Sequence, residues 1–219
     1  MIQPLLRAYL ARRYALLFYS LLLTLCAAPG LVALGFDTSA LQVFIAVNLV
    51  LAVVGGTTRR LAPLFLLVIA ALVVRLAATV LRSDALATAT LPFWSVLGLI
   101  AVAAAVRFAL RGAAIDAEHL YAALSGYLLA GLFFGLLYWV VEDAWTGSFA
   151  VSGASVAPGQ FSLANGIYFS FVTLATLGYG DVVPQTEIAR GLAILEAVSG
   201  QLYLAVMVAR LVTLYVGER

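Results

Sequence analysis

The 219-residue chain contains no lysine, one cysteine and one histidine, and charged side chains make up only 10% of it. Its twelve cations are all arginine, set against ten carboxylates for a net charge of +2. No basic tract of the kind that grips a phosphate backbone is present, so nucleic acid is excluded as a partner. The lone Cys26 has no intrachain partner and no ligand cluster around it, and reads as a small apolar packing residue. The lone His119 follows Asp116 and Glu118 and reads as part of a solvated linker. One histidine, one cysteine and one carboxylate at apolar depth do not assemble a nucleophile–base pair or a metal centre, so no enzyme is expected.

What the chain has instead is apolar length. It is 65% hydrophobic with a mean hydropathy of +1.12, where soluble domains carry about 45–50% apolar residues. Lipid must be its solvent. Six apolar runs stand out, over about 14–36, 41–56, 61–81, 91–110, 120–141 and 188–216. In hydrocarbon the backbone must satisfy its own hydrogen bonds, so these runs predict helices. Pro29-Gly30 is expected to kink or end the first. Arg7, Arg12 and Arg13, then Arg59 and Arg60, then Arg107 and Arg111, then Arg210 and Arg219 stand at every second connection, so with six crossings all four sets fall on one face. The positive-inside rule makes that face cytoplasmic and places both termini there. The first residues, 1–13, suit an interfacial helix.

One stretch breaks the pattern. Residues 142–184 open with a Gly/Ser-rich loop over 146–159 and turn apolar and aromatic over 161–177, too short to cross and return as two helices. A half-crossing helix followed by extended backbone fits, and such backbone is tolerated at membrane depth only where it lines a watery cavity. The stretch ends Thr173-Leu174-Ala175-Thr176-Leu177-Gly178-Tyr179-Gly180-Asp181. This run resembles the T-x-x-T-x-G-Y-G-D signature of tetrameric potassium channels of the six-transmembrane, voltage-gated-like superfamily, prokaryotic type. The likeness extends from about residue 120 to the end.

The resemblance implies an all-α membrane fold: six transmembrane helices with a re-entrant pore helix and selectivity filter, assembled from four identical chains in a prokaryotic inner membrane. It divides the chain into a four-helix voltage-sensor-like domain (14–111) and a pore domain (112–219). The latter comprises an outer helix (120–141), a pore helix (163–176), a filter (176–180) and an inner helix (188–216). It implies that potassium, the permeant ion rather than a cofactor, is caged by the carbonyls of Thr176, Leu177, Gly178 and Tyr179, with Gly180 completing the filter. Tyr168, Thr173, Asp181 and Glu196 would support it, Tyr168 as a donor to Asp181 and Glu196 from behind, near Ser170 or Thr173. Val172 stands where some members carry a glutamate. Gly200 matches the hinge glycine, and Gln201, Leu204, Val208 and Val212 would line the pathway. No cofactor and no soluble partner are expected.

The first four helices depart from the voltage-sensing pattern, which needs several arginines every third position on the fourth. Here Arg107 and Arg111 lie four apart at one end, and Arg75 and Arg82 sit on the third helix. Weak voltage dependence follows. The alternatives are a weakly selective cation channel, a secondary transporter or a nonconducting membrane subunit.

Overall fold

The computed structural model describes residues 12–33, 48, 73–74, 77, 91–110 and 117–217. They belong to two compact units, Met1–Leu129 and Ala130–Arg219, divided within one long helix. The expected runs over 41–56 and 61–81 lie almost wholly outside the described residues, as do Arg7, Arg59, Arg60, Arg75, Arg82, Arg111 and Arg219.

In the first unit the described elements are α1 (Arg13–Ala33), α2 (Leu91–Leu110) and the beginning of α3 (Ala117–Ala144). α2 buries Trp94, Leu97, Ala101, Ala105 and Ala109 along one stripe and exposes Val96, Leu99 and Ile100 on another. A helix apolar on both sides suits protein on one and lipid on the other. Glu118, in the first turn of α3, accepts the Tyr14 N–H at 3.0 Å. That satisfies an otherwise orphaned donor in the first turn of α1 and sets a carboxylate at the positive end of its dipole.

α1 runs through Pro29-Gly30 and continues to Ala33, so of the kink or end expected there the end does not occur. Two expectations change here. His119 is not in a solvated linker. It is half-buried in the first turn of α3, its ring stacked on Phe108 at 4.7 Å, with Tyr14 stacked on the same phenylalanine at 4.4 Å. Cys26 is exposed rather than packed inside.

The second unit holds the rest of α3, then β1 (Phe149–Val151), β2 (Ala154–Ser155), α4 (Leu163–Leu174), β3 (Val182–Pro184) and α5 (Glu187–Gly217). Its core is largely aromatic. Tyr138, Phe149, Phe161 and Phe169 pack with centroids 4.8–5.5 Å apart, closed by Phe134, Val141, Val182 and Ala189. Among the described residues, α2 over Phe93–Leu110, α3, and α5 over Glu187–Arg210 are long and apolar enough to cross a membrane.

The fold is mostly helical rather than all-α. A three-stranded antiparallel sheet, in the order β2-β1-β3, places β1 and β2 within the stretch expected to be a loop and β3 directly after Asp181. Ser152 and Gly153, both at positive φ, supply the two-residue turn between β1 and β2, as hairpins with such turns require. β1 also pairs with β3, Ala150 opposite Val183 and Val151 opposite Val182, and Ser152 N–H donates to the Asp181 carbonyl at 2.6 Å. Behind the sheet the buried Glu142 carboxylate accepts the N–H of Gly147 at 2.8 Å and of Phe149 at 2.9 Å.

Candidate functional site

α4 begins at Ser162, whose extended backbone and side-chain oxygen, accepting the Asn165 N–H at 3.1 Å, make an N-cap. It lies close against α3 because both helices carry glycine at the contact. A Cβ added to Gly135 would stand 2.6 Å from the Ile167 Cα, and one added to Gly166 would collide with the Gly135 carbonyl. Small residues let apolar helices approach in this way and gain van der Waals contact.

The helix stops at Leu174, two residues short of the expected 176, and the chain folds back on its last turn. Thr176 N–H donates to the Thr173 carbonyl at 3.0 Å, and the Val172 carbonyl accepts the N–H of Leu177 at 2.9 Å and of Gly178 at 3.4 Å. Beyond this turn the backbone alternates. Thr176, Gly178 and Gly180 have φ of 57°, 61° and 77°, whereas Leu177 and Tyr179 stay on the negative side. In a regular strand successive carbonyls point to opposite sides; reversing the sign of φ at every second residue brings them towards one side. Glycine adopts positive φ without penalty. Thr176 does not, and a β-branched residue held there costs about 1–3 kcal/mol. Residues 175 to 181 are all exposed, so this row of polar backbone faces outward from the chain.

The surroundings of the row are polar at one end and buried at its back. Tyr168 donates its phenol proton to Asp181 Oδ2 at 2.7 Å, and Asp181 Oδ1 accepts the Val182 N–H at 3.1 Å. At the back, fully buried Glu196 of α5 meets Ser170 of α4 and accepts the Tyr138 hydroxyl of α3 at 2.5 Å. Ser170 Oγ also stands 2.7 Å from the Gly131 carbonyl oxygen. Glu196 was expected near Ser170 or Thr173, and Ser170 is the one it meets.

On α5, Gly200 is packed against α4: a Cβ there would stand 2.6 Å from Leu174 Cδ1. Gln201, Leu204, Val208 and Val212 recur along one side of the helix and are exposed. Tyr138 and Glu142 were not singled out in the sequence. Tyr138 sits in an apolar run with no local pattern, and its partner is 58 residues away. Glu142 did have a signal, a carboxylate at a helix end shortly before Gly147. Among the described residues no cluster of His, Cys, Asp and Glu is arranged to hold a metal ion.

Comparison with known proteins agrees on the region. A family model described as ion channel matches residues 122–216. Protein LctB of Bacillus caldotenax is 32% identical over 99 residues, which span 45% of this chain and 73% of that protein. Protein LctB of Geobacillus stearothermophilus is 38% identical over 88 residues, 40% of this chain and 63% of the relative. No solved structure matches.

Proposed function

Since this chain belongs to the ion channel family, we propose that it is a potassium-selective channel whose filter is the backbone of residues 176–180. The alternation of φ along Thr176, Leu177, Gly178, Tyr179 and Gly180 carries this reading. A row of carbonyls turned to one side replaces the hydration shell of a cation without a fixed charge that would trap it. α4 points its C-terminal end, with its partial negative charge, towards the start of the row, which favours a cation there.

One chain supplies one row, and a row cannot surround an ion. Four copies about a common axis give a closed ring, so the functional unit is a homotetramer. In support, only 17% of the apolar stretch Glu187–Arg210 is buried within the chain. Exposed Leu177, Tyr179, Leu204 and Val208 also await neighbours or a watery pathway. Gln201, Leu204, Val208 and Val212 then line the path below Thr176. The chain crosses the prokaryotic inner membrane six times, with both termini cytoplasmic.

Recording in a planar bilayer with potassium and sodium on opposite sides tests this reading. The reversal potential is expected to follow the potassium gradient and ignore sodium; equal permeability to the two ions overturns it. Native mass measurement in nanodiscs is expected to give four chains, and a conducting monomer or dimer refutes the assembly and the filter together.

A further inference from the structure

The buried carboxyl of Glu196 has more polar contacts than an ionised group can order. Ser170 Oγ carries a single proton and lies within reach of two acceptors, the Gly131 carbonyl oxygen at 2.7 Å and Glu196 Oε1. Tyr138 supplies the other neighbour, its hydroxyl 2.5 Å from Glu196 Oε2. With Glu196 ionised, two protons serve three contacts. If Ser170 donates to Glu196, the Gly131 carbonyl faces a lone pair; if it donates to Gly131, its own lone pair faces the carboxylate. With Glu196 neutral, three protons serve three contacts. Tyr138 O–H donates to Oε2, the acid proton on Oε1 goes to Ser170 Oγ, and Ser170 O–H goes to the Gly131 carbonyl.

The surroundings favour the second count. Glu196 is 0% exposed, and among the described residues no arginine or histidine stands within ion-pair distance of it. An ionised carboxylate left without a cation at apolar depth is among the costliest groups a chain can bury. The chain of bonds also has a place to act. Ser170 and Leu174 on α4 are four apart, and they meet Glu196 and Gly200, four apart on α5. Two successive helical turns are thereby matched, one polar and one apolar, directly before the backbone turns into residues 176–180.

We propose that Glu196 is a neutral carboxylic acid that acts as a hydrogen-bond donor, and that it is the positioning residue fixing α4 between α3 and α5. The proton assignment stands on the geometry alone; that the bond holds the filter in register rests on the channel reading above.

The test uses the full chain in lipid vesicles at neutral pH. Infrared difference spectra of wild type against E196Q are expected to show the carbonyl stretch of a protonated acid, shifted in D2O and missing from the variant. Carboxylate bands in its place overturn the protonation state. Potassium flux reads the positioning role. E196Q keeps a donor for Ser170 and an acceptor for Tyr138, and is expected to retain selective flux within about threefold of wild type. E196L lacks both and is expected to lose at least about tenfold, the effect of one buried partner left unmade. Wild-type flux in an assembled E196L overturns the role. Should E196L fail to assemble, S170A decides: the acid band moves as Glu196 loses its acceptor, and an unmoved band overturns the donor assignment. If wild-type vesicles pass no potassium, the channel reading fails while the infrared band still decides the proton.

Discussion

Tyr168 and Asp181, thirteen residues apart, are joined at 2.7 Å by a phenol proton. The bond fastens the middle of α4 to the residue that follows the exposed backbone row. Removing either partner frees the same end of the row, so Tyr168→Phe and Asp181→Asn are expected to shorten sustained potassium current alike. The double variant should be no worse than the more severe single one, the mark of two groups acting as a unit. Additive loss would show that each residue acts on its own.

Gly178→Ala is expected to abolish selective conduction. No atom beyond its chain neighbours lies within 4 Å of a Cβ built there, so the cost is conformational, not a clash. At φ of 61° an L-side chain costs about 1–2 kcal/mol per subunit, and four subunits would bear it at one ring. Selectivity unchanged in bilayer recordings would sink the assignment of this backbone.

The glycines at helix contacts should differ in a definite order. An alanine Cβ at Gly135 meets the backbone of Ile167, which cannot yield without moving α4. At Gly200 it meets the flexible end of Leu174. Thermal melts in detergent are expected to show Gly135→Ala losing about 1–3 kcal/mol to overpacking, and Gly200→Ala clearly less. Equal losses would contradict the packing described here.

Glu142→Gln replaces one carboxylate oxygen with a donor, so the N–H of Gly147 or of Phe149 loses its acceptor. A charge-assisted bond to a buried group is worth about 1.5–3 kcal/mol. Hydrogen exchange at these two amides should quicken, with little change in the amides of α4. Unaltered protection would place the support of the sheet elsewhere.

Voltage is expected to change the current only weakly. Arg107 lies in the last turn of α2, and a charge crossing little of the field gains little of the roughly 2.3 kcal/mol per 100 mV that a full crossing yields. A conductance that rises e-fold within a few millivolts would require several arginines to cross most of the membrane.

Long periodic features were legible in the sequence and short or distant ones were not. The apolar runs over 91–110, 120–141 and 188–216 are helical, since hydrocarbon leaves the backbone no other partner. The Tyr168–Asp181 bond was implied by the resemblance, and Glu196 was expected near Ser170 or Thr173; the first bond is present and Ser170 is the residue at Glu196. The sheet was not read, because strands of two and three residues among glycines and serines carry no period. Tyr138 was not read as the second partner of Glu196, because an aromatic in an apolar run looks the same whether or not its hydroxyl meets a carboxyl on another helix.

The hairpin of β1 and β2 also has a bearing on how this chain tolerates change in length. β1 is the middle strand: its outer edge carries β2 and the tip at Ser152-Gly153, while its inner edge holds β3, the continuation of Asp181. Residues added after β2, around Pro158-Gly159, would enlarge a loop whose closure entropy grows only with the logarithm of its length. The pairs Ala150–Val183 and Val151–Val182 would keep their register. That loop is therefore the place where an epitope or fluorophore can be inserted while the geometry beyond Asp181 stays as it is.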